Sequence, residues 1–158
     1  MVAEPDQGRV DSPRPANLGL PRVGYELTAG DLQMGKHDGR LVSIVDDDAS
    51  LRRSLRNLLM SVGLRVETFE SAEAFLESVH RENTGCMVLD LRMPGMSGLD
   101  LLRHLAARGT RIPVIILTAY RDDETRRRSL DAGAVEFLEK PFQSAALLDA
   151  VRSALSSA

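Results

Sequence analysis

At 158 residues the chain is the size of one domain, long enough to bury a substantial core. Its net charge of −3 creates no strong field toward nucleic acid or acidic lipid, which argues against direct nucleic-acid binding by this chain. No apolar run approaches the roughly 18 residues of a membrane span, and residues 1–20 lack the basic and then apolar regions of a secretion signal, so a cytoplasmic protein is expected.

Residues 1–39 carry Pro5, Pro13, Pro15 and Pro21 among six scattered glycines. Such a segment has too few apolar side chains to offset its ordering entropy and reads as a flexible N-terminal tail. From Arg40 the pattern changes to strand and helix in alternation. Leu41 to Val45 reads as a strand, and Leu51, Leu55, Leu58, Leu59 and Val62 then recur at the spacing of one helical face, stopped by Gly63. Leu64 to Phe69 is the second strand, and Ala72, Phe75, Leu76 and Val79 mark a helix starting after Ser71. Cys86 to Asp90 is the third strand, an apolar run ending in a carboxylate. Its cysteine, the only one in the chain, reads as a packed core thiol. After the turn residues Pro94 and Gly95, Ser97 and Asp100 form a capping pair, and Leu99, Leu102, Leu105 and Ala106 line the next helix. Ile112 to Leu117 is the fourth strand, with Pro113 near its start where a missing donor costs least. Asp122 to Ala132 is a helix closed by Gly133, Val135 to Glu139 the fifth strand, and Leu147, Leu148, Val151 and Leu155 the last helical stripe.

Five strands alternating with five helices specify an α/β fold, a doubly wound parallel sheet in three layers, α/β/α. Residues 40–158 form this one domain, and no second domain is expected after the last helix. Every strand of a parallel sheet presents its C-terminal end at the same edge, where ligands bind. Asp46, Asp47 and Asp48 follow strand 1, Asp90 ends strand 3, Thr118 follows strand 4, and Lys140 and Pro141 follow strand 5. With the order 2-1-3-4-5, strands 1 and 3 are neighbours roughly 4.8 Å apart, and first-strand carboxylates come close to Asp90. Like charges about 4 Å apart repel by roughly 4 kcal/mol at an effective dielectric of 20. One lysine does not neutralise them, whereas an oxygen-only cage suits Mg²⁺. Asp48 is expected to cap the following helix, which leaves two acids of the three for the metal.

A carboxylate, a divalent metal, a lysine and a hydroxyl at one edge meet the needs of phosphoryl transfer, where catalysis is chiefly positioning and compensation of charge. Asp90 would be the nucleophile, Lys140 and the metal would hold phosphoryl oxygens, and Thr118 would donate a hydrogen bond.

The phrases VDDD, LDLRMPGMSG, ILTA and FLEKPF, in this order and at these spacings, resemble the receiver domain of bacterial two-component response regulators, and most closely FixJ-like receivers. The resemblance covers about residues 40–156. It implies a flavodoxin-like receiver fold with strand order 2-1-3-4-5 and an acidic pair at Asp46 and Asp47, Asp47 being the closer metal ligand. It further implies phosphoacceptor Asp90, a Mg²⁺ ligand from the Arg92 carbonyl, and Thr118 and Lys140 as reporters of phosphorylation. A cis Lys140–Pro141 peptide is implied too, with Phe137 at the aromatic switch position and Arg92 and Tyr120 tuning the rates of phosphorylation and hydrolysis. The implied function is that of a phosphorelay receiver, not an enzyme beyond its own phosphorylation and dephosphorylation. A sensor histidine kinase or phosphotransfer protein would be the donor, and a homodimer could form on phosphorylation. Such receivers often precede a helix-turn-helix domain; its absence here implies a stand-alone receiver or a shortened regulator.

Two other classes compete. A haloacid-dehalogenase-like phosphatase also uses a strand-end Asp and Mg²⁺, but it wants an acid two residues later, where Arg92 stands. A receiver-like module that only dimerises has no reason to keep carboxylates in mutual repulsion. The run Arg126-Arg127-Arg128 is expected to pair with Asp122, Asp123 and Glu124, each four residues earlier, and not to contact DNA. His37, His80 and His104 lack partners at metal-ligand spacing.

Overall fold

Three neighbouring apolar strands form the centre of the molecule in a computed structural model that describes residues 40–119 and 122–157. The expected tail, residues 1–39, and Tyr120 lie outside the described residues. β1 (Leu41–Val45) and β4 (Val114–Thr118) are buried at every residue, and β3 (Thr84–Asp90) is buried up to its terminal acid. Burial on both faces is why these runs are continuously apolar rather than alternating. β2 (Arg65–Phe69) and β5 (Ala134–Glu139) occupy the edges and are more exposed. The order is β2-β1-β3-β4-β5 and every pairing is parallel, the flavodoxin-like arrangement expected.

The helices are α1 (Ala49–Ser61), α2 (Ala72–Glu77), α3 (Gly98–Ala107), α4 (Asp123–Asp131) and α5 (Ser144–Ser157). One core layer joins Met87, Leu89 and Ile116 to Phe75 of α2 and Leu101 and Leu105 of α3. The other joins Ile44, Val88, Ile115 and Leu117 to Leu55 and Leu59 of α1 and Leu147, Leu148 and Val151 of α5. Asp48 caps α1 by accepting from the Ser50 and Leu51 amides, and Ser97 with Asp100 forms a complete capping box on α3.

Several boundaries differ from expectation, each for a local reason. α2 stops at Glu77 because Ser78 turns to extended backbone, so Val79 leaves the helical face and stands 86% exposed. β3 begins two residues early, at Thr84, where the Thr84 and Ser43 hydroxyls bond at 2.8 Å in the interior. β4 begins after Pro113, whose carbonyl accepts from the Met87 amide at 2.9 Å. α3 buries Leu101, Leu102 and Leu105; Leu99 is only partly buried and Ala106 is exposed, because a helix starting at Gly98 turns residue 101 onto the sheet. On α4, Glu124 pairs with Arg128. Asp122 instead caps the helix, accepting from the Glu124 amide and the Thr125 hydroxyl, and Arg126 lies over the Phe137 ring, 6.0 Å from its centroid.

Candidate functional site

Strand register decides where the acids meet. Val45 is paired with Leu89 across β1 and β3, so the next residues, Asp46 and Asp90, leave the sheet level with one another. Asp46 is 2% exposed. One of its carboxylate oxygens accepts from the Asp48 amide at 2.9 Å and the other from Lys140 Nζ at 3.2 Å. Its backbone carbonyl accepts from the Arg52 guanidinium at 2.6 Å. Asp47 is exposed. Asp46, Asp47 and Asp90 each offer a carboxylate oxygen, and the three lie within 4.8 Å of one another.

Lys140 Nζ stands 3.8 Å from Asp90 Oδ2 and so bridges Asp46 and Asp90. The Asp90 carboxyl is held above its ordinary value, first by burial and then by the charge of Asp46, with a smaller push from Asp47. Lys140 and the Arg92 amide act in the opposite direction without cancelling the rise. A single ammonium thus leaves net negative charge among oxygen donors only, a set that fits a hard divalent cation rather than a soft one.

Thr118 is fully buried at the end of β4. It is in register with Glu139, and its carbonyl accepts from the Lys140 amide at 2.8 Å, which sets where Lys140 leaves the sheet. The Lys140–Pro141 peptide is cis, as expected. Phe137 lies further back on β5, 6% exposed within the α2–α3 core layer. Arg92 is exposed, and its backbone amide acts to lower the Asp90 carboxyl. The edge therefore collects Asp46, Asp47, Asp90, Lys140 and Thr118, with Phe137 below it. A groove of about 1390 Å³ lies elsewhere: Arg40, Gly85, Pro113 and Gly133 line it at the N-terminal ends of the strands.

Two contributors escaped the sequence reading. Gly98 donates its amide to the Leu91 carbonyl at 2.9 Å, and its position inside LDLRMPGMSG was the only signal for it. Glu73 of α2 accepts from the Met96 amide at 2.7 Å, a contact across 23 residues with no local signal.

Comparison with known proteins agrees with this architecture. Residues 42–152 match the family model of the response regulator receiver domain. The chain is 45% identical over 118 residues to the response regulator protein TmoT of Ectopseudomonas mendocina, covering 75% of this chain and 54% of that protein. It is 46% identical over 114 residues to the transcriptional regulatory protein FixJ of Azorhizobium caulinodans, covering 72% and 54%. The crystal structure of FixJ-N superposes with a TM-score of 0.69 at 39% identity, over 75% of this chain and 95% of that one. The chain spans about half the length of the curated relatives it matches. A matched family model over most of the chain, together with the sheet order that carries the acids to one edge, makes this protein a member of the response regulator receiver domain family.

Proposed function

We propose that the chain is a phosphorelay receiver in which Asp90 accepts a phosphoryl group from a sensor histidine kinase or phosphotransfer protein in the cytoplasm. The observation that carries this reading is the crowding of three carboxylates within 4.8 Å around one bridging ammonium. Asp46, Asp47, Asp90 and the Arg92 carbonyl would hold Mg²⁺, with Asp47 the closer of the acidic pair. When bound, the ion would offset the charge of the acceptor and of the incoming phosphoryl group. An Asp90 carboxylate oxygen forms the new bond to phosphorus as the bond from phosphorus to the donor nitrogen breaks; the imidazole, already protonated on its other ring nitrogen, takes the electron pair of that bond and leaves as the neutral ring. No general base is required, because the nucleophile reacts as its anion.

Lys140 draws the Asp90 carboxyl down against the charge of Asp46 and can turn its ammonium to a phosphoryl oxygen, and the Thr118 hydroxyl can donate to another. Phe137 has no phenol hydroxyl, so its response to a moved Thr118 is one of packing alone. Arg92 and Tyr120, two residues beyond Asp90 and Thr118 in sequence, tune phosphorylation and hydrolysis, and the turnover is that of the chain's own acyl phosphate. The surface of α4, β5 and α5 then changes its affinity for a partner, for a second copy of the chain, or for an attached or separate DNA-binding output.

The test is incubation with acetyl phosphate or phosphoramidate and Mg²⁺, followed by intact mass and gel filtration. Wild type gains one phosphoryl group and Asp90→Asn gains none. Equal gain by both proteins removes Asp90 as acceptor.

A further inference from the structure

Residues 91–97 connect β3 to α3 and are held at three points. At the base, the Gly98 amide bonds the Leu91 carbonyl; on the inner side, Met93 is buried against the α2–α3 core. The third hold comes from another element: the Glu73 carboxylate, in the first turn of α2, accepts from the Met96 amide at 2.7 Å. The Met96 amide is the foremost influence holding the Glu73 carboxyl below its ordinary value. The loop is shaped to receive it. Gly95 has φ +78, and a Cβ there would lie 2.7 Å from Glu73 Oε1.

A plain helix-to-loop tether would only add stability. This loop does more, because it starts at the acceptor: Arg92 is two residues beyond Asp90 and its backbone amide draws the Asp90 carboxyl down, and the Arg92 carbonyl belongs to the proposed oxygen set. A short loop closed at its base has little freedom left once Met93 is packed and the Met96 amide is also held. We propose that Glu73 is a positioning residue for the Asp90 site, holding the Met96 amide so that the 91–97 loop keeps Arg92 in the arrangement that completes metal binding. The inference rests on the reading of Asp46, Asp47 and Asp90 as a Mg²⁺ site.

The experiment needs no phosphodonor. Wild type, Glu73→Gln and Glu73→Ala are titrated with Mg²⁺ while amide shifts of Asp90 and Arg92 are followed by NMR, with hydrogen exchange of the Met96 amide and thermal melting alongside. In Glu73→Ala the Met96 amide loses protection and the Mg²⁺ midpoint rises about tenfold, the lower end for a group that orients a metal ligand. Glu73→Gln still offers an oxygen to Met96 and stays near wild type. A purely structural role would lower the melting temperature and leave the midpoint in place; that result, or a Gln variant as weak as the Ala variant, overturns the inference. Wild type that shows no Mg²⁺-dependent shift at Asp90 overturns the metal-site reading itself and Glu73's role with it.

Discussion

A Cβ at residue 98 would come within 2.2 Å of the Asp90 carbonyl oxygen and 2.8 Å of the Leu91 Cα. The start of α3 thus lies directly against the backbone that carries the acceptor, and only glycine permits that approach. The obstructing atoms are main chain, so no side chain can swing aside.

Gly98→Ala is expected to lose about 1–3 kcal/mol of stability through overpacking. It should also slow phosphorylation from acetyl phosphate, because relief of the clash must move β3 or α3. Calorimetry and intact-mass kinetics check both effects. Melting at the wild-type temperature would mean that the helix can shift freely.

The Asp90 carboxyl is raised chiefly by burial, so without metal the folded state binds more protons than the unfolded state between the ordinary and the raised value. Its stabilising contribution is therefore complete below the ordinary carboxylate range and is lost as pH rises through the folded value. Asp90→Asn lacks this dependence. In metal-free buffer the stability of Asp90→Asn minus that of wild type should widen from pH 4 toward neutrality and then level off. Denaturant melts at several pH values give that difference, and a gap that narrows with pH contradicts the assignment.

Lys140→Gln leaves Asp46, with its side chain 3% exposed, and Asp90, with its side chain 12% exposed, without their ammonium. The expected loss is about 2–3 kcal/mol, less than for a fully buried pair because the lysine itself is 24% exposed. Saturating Mg²⁺ should raise the melting temperature of this variant more than that of wild type, because the ion then relieves repulsion that no lysine shares. Equal shifts in the two proteins would show that Lys140 does not compete for the same charge.

Burial in β3 pushes the Cys86 thiol up to about 12. The folded protein should leave it unmodified by iodoacetamide at neutral pH, and labelling should follow global unfolding in denaturant. Rapid labelling of the native protein would place the thiol at an opening in the sheet.

Residue order alone carried the fold class. The alternation of apolar strands with amphipathic helices admits one chirality and few topologies, and burial on both faces left β1, β3 and β4 too apolar to misread. The acids that follow β1 and end β3 were legible for the same reason, since parallel strands deliver their C-terminal residues to one edge. What only the tertiary structure decided are contacts between elements with no mutual signal in sequence. The meeting of Glu73 with the Met96 amide depends on how α2 lies over the β3–α3 loop, and the requirement for glycine at 98 depends on how closely α3 approaches Asp90. Val79 shows the limit from the other side: its helical spacing was real, but the turn at Ser78 took it off the helix and into solvent. Periodicity reports which face a residue would share if its element continued; where elements stop and which backbone atoms they touch is set by packing in three dimensions.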